Sequence, residues 1–144
     1  MRATADLDVV EAAGIELPEL VRLAGNGSDL HKKHKVYLDI VTVAGLPENY
    51  ASRLTDISSG SFRRLRLRGC ERHDLVLAKL TRNSDRDRED VGRIAAGPGL
   101  DTALLKGRYR TELRPQVGNP EREDLTLDLW VEIIEEVNQR RRRE

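Results

Sequence analysis

The sequence predicts an α+β fold, with a small mixed β-sheet near the N-terminus and a mainly helical C-terminal half. Two apolar, β-branched runs, residues 4–10 and 36–43, have the length and composition of strands. Beyond residue 73, apolar residues instead recur at the three- and four-residue spacing of amphipathic helices. The chain of 144 residues has the length of one ordinary domain. We therefore expect a single domain, 1–144, with a sheet-bearing core at 1–72 and a helical part at 73–144.

The composition is that of a folded protein without a strong charge bias. Hydrophobic residues make up 38% and charged residues 35% of the chain, and the formal net charge is zero. Bulk charge therefore gives no argument for nucleic-acid binding. Cys70 is the only cysteine, which excludes an intrachain disulfide and a cysteine-based zinc site and suits a reducing cytoplasm. Without a long apolar run or a signal-peptide pattern, we expect a cytoplasmic protein that does not enter membranes.

Both predicted strands carry aspartate. Asp6 and Asp8 are two residues apart and therefore share one face of the first strand, while Leu7 and Val9 point the opposite way, into a core. Asp39 lies in the middle of the second run. If the two strands are neighbours, three carboxylates meet on one surface.

Such a meeting of carboxylates favours a bound cation. Two carboxylates about 5 Å apart repel by about 3 kcal/mol at an effective dielectric constant near 20. Magnesium prefers hard oxygen ligands, with one or two carboxylates supplemented by water and phosphate. The pattern therefore predicts a metal-dependent phosphoryl or nucleotidyl transfer site. The alternative is that the three acids lie on a solvated strand face.

Short elements are expected around these strands. Pro18 fits the first turn of a short helix, and residues 30–35 should lead into the second strand as the arm of a hairpin. Pro47 indicates the start of another helix. Residues 62–67 alternate leucine with arginine, which predicts a half-buried strand. Its basic face either positions RNA phosphates or protects a sheet edge.

Four helices are predicted in the C-terminal half, each with a polar residue near its start. These residues are, in chain order, Asp74, Asp85, Asp101 and Thr126. In the last helix Trp130 is expected to anchor an apolar stripe, and the arginines at 140–143 are either solvated or hold RNA.

Several of these stretches carry a resemblance to a known family. A strand with D-x-D followed by a later strand with a single aspartate resembles the nucleotidyltransferase superfamily that includes polymerase β. More closely, the chain resembles the nucleotidyltransferase-like toxins of abortive-infection (type IV) toxin–antitoxin systems. The stretches that carry this likeness are residues 2–10, 30–33, 36–39, 74–80 and 82–91.

The resemblance implies Mg²⁺-dependent transfer of a nucleotide from a nucleoside triphosphate to tRNA or protein, with an antitoxin protein as a partner. The residues that would bind the metal and carry catalysis are Asp6, Asp8 and Asp39. Lys79 would contact the phosphates. Alternatively, the apolar stem of Lys79 packs against its neighbours while its ammonium stays solvated. Two further residues, Lys33 and Arg82, are candidates for contacting the nucleotide. Alternatively, Lys33 lies in a solvated turn.

Two other readings remain open. The superfamily has a Gly-Gly/Ser turn that holds the triphosphate upstream of D-x-D, and this sequence has none before Asp6. The chain would then be a catalytically degenerate binding or regulatory module. A plain RNA-binding protein is the third class. Asp87 and Asp90 likewise have two interpretations, an Arg–Asp network between helices or support of the active site.

Overall fold

The structure is a computed structural model that describes residues 5–41 and 45–143. The chain divides into two compact units, Met1–Ala44 and Gly45–Glu144, which are taken in turn. Helices and short strands are both present, so the predicted α+β class is confirmed. The predicted strand residues Thr4, Thr42 and Val43 lie outside the described residues.

The N-terminal unit is built on two parallel strands, β1 (Asp6–Val9) and β2 (Tyr37–Ile40). The two helices that connect them are α1 (Leu17–Ala24) and α2 (Asp29–His34). A crossover of this kind is what parallel neighbours require, because a tight hairpin can join only antiparallel strands.

The second helix corrects the prediction of a hairpin arm over residues 30–35. The Ser28 side chain accepts a hydrogen bond from the His31 backbone N–H at 3.1 Å and caps the helix. Lys35 ends it in the left-handed conformation, with φ of 60°. The prediction was wrong because Ser28 caps a helix at the start of this stretch.

The N-terminal unit has little apolar core. Leu7 is 53% exposed and Val9 is half-buried, so the prediction that both point into a core is wrong for Leu7. Among residues 5–41 only Gly25 is buried. Gly25 forms a parallel bridge with Leu38, and a Cβ there would lie 2.5 Å from the Val21 carbonyl oxygen. Two short strands and two short helices enclose too little volume to bury large side chains.

The second unit begins with a short 3₁₀ helix, Tyr50–Arg53, and two antiparallel strands of two residues, β3 (Thr55–Asp56) and β4 (Arg68–Gly69). The strand predicted over 62–67 is absent, since these residues are irregular and exposed. Alternating leucine and arginine produces a strand only when a neighbouring strand and an apolar surface are present to pair with it.

Four α-helices make up most of this unit. They are α3 (Arg72–Leu80), α4 (Asp85–Ala96), α5 (Thr102–Arg108) and α6 (Pro120–Arg143). After α5 the chain continues as a π turn, Tyr109–Leu113, and a 3₁₀ turn, Arg114–Gln116. None of the described helices has the length and apolar character needed to cross a membrane.

The apolar core of the second unit lies between these helices. Trp130 is 1% exposed, and its indole N–H donates to Asn83 Oδ1 at 3.2 Å, so the predicted anchoring role is confirmed. The other core residues are Val76, Leu77, Leu80, Val91, Ala95, Leu100, Leu105, Tyr109, Leu113, Leu127, Val131 and Ile134. The described part of the core therefore draws on all four helices and the π turn.

Two of the polar residues predicted near helix starts, Asp74 and Thr126, lie inside their helices. The first helix begins at Arg72 with Glu71 as its cap, which leaves Asp74 inside the helix and fully buried. The last helix begins at Pro120, and Thr126 is a buried interior residue whose hydroxyl donates to the Arg122 carbonyl at 2.9 Å. The sequence does not separate a capping side chain from one that bonds elsewhere, since Thr126 bonds within its own helix and Asp74 bonds arginines of other elements.

We expect Leu127→Ala to lower the free energy of unfolding by about 2–5 kcal/mol, since the side chain is 4% exposed and its loss leaves a cavity. Leu125→Ala is the matched control on the same helix, because Leu125 is 70% exposed and its removal should change stability by less than about 0.5 kcal/mol. Urea unfolding of both variants measures the difference. Equal losses would contradict the packing of α6 described here.

Candidate functional site

The register of the two parallel strands places the three predicted acids on one face. Asp8 pairs directly with Asp39, and Asp6 pairs with Tyr37. Paired residues on neighbouring strands project to the same side, and residues two apart on one strand do so as well. Asp6, Asp8 and Asp39 therefore share a face, with Asp8 and Asp39 on strands about 4.8 Å apart.

These carboxylates face solvent without protein partners. Asp8 and Asp39 are exposed and Asp6 is half-buried. Within residues 5–41 and 45–143 none of the three carboxylates accepts a hydrogen bond or forms an ion pair. Like charges directly opposite each other on neighbouring strands destabilise the pairing. A cation beside Asp8 and Asp39 would remove that repulsion.

The acids do not form a closed metal cage. In the described part of the chain, no group of three or more His, Cys, Asp or Glu side chains is arranged to hold a metal ion. Magnesium commonly takes one or two protein carboxylates and completes its shell with water and phosphate. Asp8 and Asp39 supply a donor set of that kind. The residues thus fit a Mg²⁺ ion that arrives with a triphosphate, and their metal-binding role stays a prediction.

An aromatic side chain, Tyr37, shares the strand face of the three acids and packs against a histidine ring. Tyr37 is two residues from Asp39 and pairs with Asp6. It therefore projects on the strand face that carries Asp6, Asp8 and Asp39, here called the acid face. The His31 ring packs against the Tyr37 ring, with centroids 4.8 Å apart at an angle of 55°. His31 Nδ1 accepts a hydrogen bond from the Gly27 N–H at 2.9 Å, which holds the imidazole in one orientation. The two-residue spacing between Tyr37 and Asp39 was the available signal.

Lys33 lies exposed on α2, the helix that leads into β2. Its neighbour Lys32 pairs with Asp29 at 3.4 Å, an exposed contact of small energetic value. Lys33 makes no hydrogen bond or ion pair within the described ranges. Its predicted role as a nucleotide ligand stays a prediction.

Lys79 is engaged within the second unit. Its ammonium donates to Asp90 Oδ2 at 3.0 Å and lies 3.7 Å from Asp87 Oδ1, and the side chain is 18% exposed. These contacts join α3 to α4. They agree with the interpretation of Asp87 and Asp90 as members of a charge network between helices. A phosphate at Lys79 would have to compete with or join these carboxylates. The predicted phosphate contact stays untested.

Asp87 is the buried centre of the same cluster. It is fully buried, accepts two hydrogen bonds from Arg82 and accepts from the Ser84 hydroxyl at 2.6 Å, completing the capping box of α4. The hydrogen bonds from Arg82 hold the pKa of the Asp87 carboxyl well below its usual range, against the opposing effect of burial. Arg82 therefore has a demonstrated structural partner, while its proposed nucleotide contact stays a prediction.

A second buried charge cluster could not be recognised from the sequence. Asp74 accepts from Arg53 Nε at 2.7 Å and from Arg108 Nη1 at 2.9 Å, and Arg53 also donates to Glu112 at 2.7 Å. The fifth member, Glu71, accepts from Arg108. Pairing of this kind is what allows a carboxylate such as Asp74 to be fully buried. The partners come from separate elements, so no local sequence spacing predicts these contacts.

His73 links this cluster to α5. Its Nε2 accepts a hydrogen bond from the Asp101 N–H at 3.0 Å, which places the proton on Nδ1 for donation to Glu71 Oε1 at 2.8 Å. Burial opposes ionisation of Glu71, but the hydrogen bonds from His73 and Arg108 outweigh it and lower its pKa to about 2. The ionised Glu71 thus stabilises the folded state.

We expect the free energy of unfolding to fall as the pH decreases from about 4.5 towards about 2. In that range the unfolded state takes up the Glu71 proton before the folded state does, so acid favours unfolding. Glu71→Gln should lower the stability at neutral pH and flatten this dependence. Glu132→Gln, at an exposed position of α6, is the control. Denaturant unfolding across the pH range measures both, and identical slopes for the two variants would contradict the role of Glu71.

Comparison with known proteins gives one finding. Residues 1–138 match a family described as nucleotidyltransferase of unknown function (DUF6036). No curated protein matches the chain, and no solved structure matches it either. The match covers nearly the whole chain and includes both units. The chain therefore belongs to this family of nucleotidyltransferases of unknown function.

Proposed function

We propose that the protein transfers a nucleotide from a nucleoside triphosphate to an acceptor hydroxyl, with Mg²⁺ bound at Asp6, Asp8 and Asp39. The observation that carries this proposal is the pairing of Asp8 with Asp39 in a parallel register that puts Asp6 on the same face. Membership of a nucleotidyltransferase family supports a nucleotide as the substrate.

The reaction asks little covalent chemistry of the protein. The acceptor oxygen forms a bond to the α-phosphorus, the bond from that phosphorus to the bridging oxygen breaks, and pyrophosphate leaves. When bound, Mg²⁺ neutralises charge on the phosphates and lowers the pKa of a coordinated hydroxyl. Asp8 and Asp6 would hold the metal. Asp39 would hold a second metal ion and orient the acceptor hydroxyl as its proton leaves, so that the site works by positioning and charge stabilisation.

The finer features of the proposal rest on the resemblance to abortive-infection toxins. The acceptor is tRNA or protein, and the biological setting is a toxin that an antitoxin protein restrains. Lys33, in the same unit as the acids, contacts the triphosphate as a point charge, and phosphate contacts of Lys79 and Arg82 are implied by the resemblance alone. Tyr37, beside the acids, adds an aromatic surface on the same face.

A second candidate function is a binding or regulatory module that keeps the fold without catalysis. It is favoured by the solvent exposure of Asp8 and Asp39, which acids on a solvated strand face would show as well. Such a module predicts that nucleotide or RNA binding is indifferent to Mg²⁺ and to Asp8.

The decisive assay incubates the chain with nucleoside triphosphates labelled at the α-phosphate, Mg²⁺, total tRNA and cell protein. We expect label to enter the acceptor, to be lost on chelation of the metal, and to fall by at least about 100-fold in Asp8→Asn and Asp39→Asn, because each removes a carboxylate charge needed to hold Mg²⁺. Asp29→Asn is the matched control, since Asp29 is an exposed acid of the same unit that lies outside the acid face.

Two outcomes would overturn the proposal. Label transfer that survives Asp8→Asn would dismiss this site. Failure of every triphosphate and acceptor, together with metal-independent nucleotide binding, would establish the binding module instead.

We expect Lys79→Gln to raise the KM for the nucleoside triphosphate by about tenfold, the loss typical of one charge-assisted hydrogen bond. Because Lys79 also pairs with Asp90, the variant should lose some stability as well. Lys106→Gln is the control, as Lys106 forms a looser pair with Asp128 at 3.7 Å. Steady-state kinetics at a temperature where both variants are folded separates the effects. A lower melting temperature with an unchanged KM would assign Lys79 a structural role alone.

A further inference from the structure

A cleft of about 580 Å³ lies between the turn that follows α4 and the C-terminal end of α6. Its volume falls in the range typical of small-molecule sites. Its lining includes Arg72, Thr102, Asn138, Arg141 and Arg142. All of them belong to the second unit, and none is part of the acid face of the first.

The charged lining of the cleft is predominantly basic. Three arginines, Arg72, Arg141 and Arg142, face two acids, Asp101 and Glu135. Asp101 accepts hydrogen bonds from two backbone N–H groups at the start of α5, at 2.9 and 3.0 Å. Glu135 accepts from the Thr102 hydroxyl at 3.3 Å. The acids are thus used within the fold, and the excess charge of the cleft is positive.

Arg141 is held in place by the turn. Its guanidinium donates to the Gly97 carbonyl oxygen and lies across Gly99, where a Cβ would be 2.5 Å from Nη2. Gly99 also has a φ of +87°, a conformation that side chains rarely adopt. A guanidinium has five N–H donors, so the bond to Gly97 leaves donors for a ligand. The Arg141 side chain is therefore already partly ordered, and binding a ligand would cost less conformational entropy.

The other two arginines are little engaged by the described part of the chain. Arg72 Nε lies 4.0 Å from Glu71, whose carboxylate is already bound by Arg108 and His73. Arg142 makes no hydrogen bond or ion pair with the described part of the chain. Three arginines that converge on one cleft match the geometry in which guanidinium groups bind phosphate oxygens.

One polar atom of the cleft lining also lacks a partner. Asn138 Nδ2 donates to the Leu100 carbonyl at 2.9 Å, whereas Asn138 Oδ1 is buried and accepts no hydrogen bond from the residues described. Buried acceptors of this kind are normally satisfied by protein, water or ligand. Asn138 Oδ1 is therefore an acceptor of the cleft lining that the described residues leave unsatisfied.

We propose that this cleft binds a phosphate group of RNA or of a nucleotide, through Arg72, Arg141 and Arg142. The proposal does not depend on the reaction proposed for the acid face, because its readout is binding and requires neither Mg²⁺ nor transfer of a label. It also assigns a role to Arg141 and Arg142, two of the arginines at the C-terminal end of α6.

The test measures fluorescence anisotropy of labelled tRNA with the full chain, and uses inorganic phosphate and ATP as competitors. We expect Arg142→Gln and Arg72→Gln each to raise the Kd by about tenfold. Each should also reduce the slope of log K against log salt concentration by about 1, the effect of one lost phosphate contact. Arg143→Gln is the matched control, since it removes the same charge from the same helical end outside the cleft lining.

Each result has a defined meaning. Losses confined to Arg142→Gln and Arg72→Gln support the cleft, and stronger displacement by ATP than by inorganic phosphate identifies a nucleotide as the source of the phosphate. An equal loss in Arg143→Gln would overturn the proposal, because attraction to the terminal arginines would then be diffuse. Absence of binding to tRNA, ATP and phosphate would overturn it as well.

Discussion

The parallel pairing of β1 with β2 is the constraint on which the candidate site depends. Successive side chains on a strand alternate between faces, so a slip of one residue would move Asp39 to the face opposite Asp8. The observed register pairs these two residues directly. The crossover through α1 and α2 brings the strands side by side with the same direction, and it ends at Tyr37, the first residue of β2. The acid face is thus a consequence of strand pairing and not of any single side-chain contact.

The second unit is organised differently, around buried charge as well as an apolar core. Asp74 and Asp87 are both fully buried, and each is bound by arginine. A buried carboxylate without such a partner would cost several kcal/mol. These pairs join elements that the apolar core alone would leave free to slide, since ion pairs and hydrogen bonds are directional while apolar packing is not. The buried charged residues of this unit therefore stabilise its fold.

Helices of the C-terminal half were largely predictable, and the short strands were not. The apolar stripe around Trp130 recurs at helical spacing over many residues, so its burial follows from local sequence. The strand expected over 62–67 failed because pairing depends on a distant partner. The hairpin arm expected over 30–35 failed because Ser28 caps a helix instead. Glu71 and His73 were missed since their partners are Arg108 and Asp101, far along the chain.

The sequence by itself determined that Asp6 and Asp8 share one face of the first strand and that Asp39 lies on the second, because a two-residue period needs no tertiary information. It also determined most of the helical pattern of the C-terminal half. Only the tertiary structure decided that Asp8 lies beside Asp39, that Asp74 is buried with two arginines, and that Arg141 lies against Gly99. These are contacts between residues distant in sequence, and local propensities carry no information about which distant groups will meet.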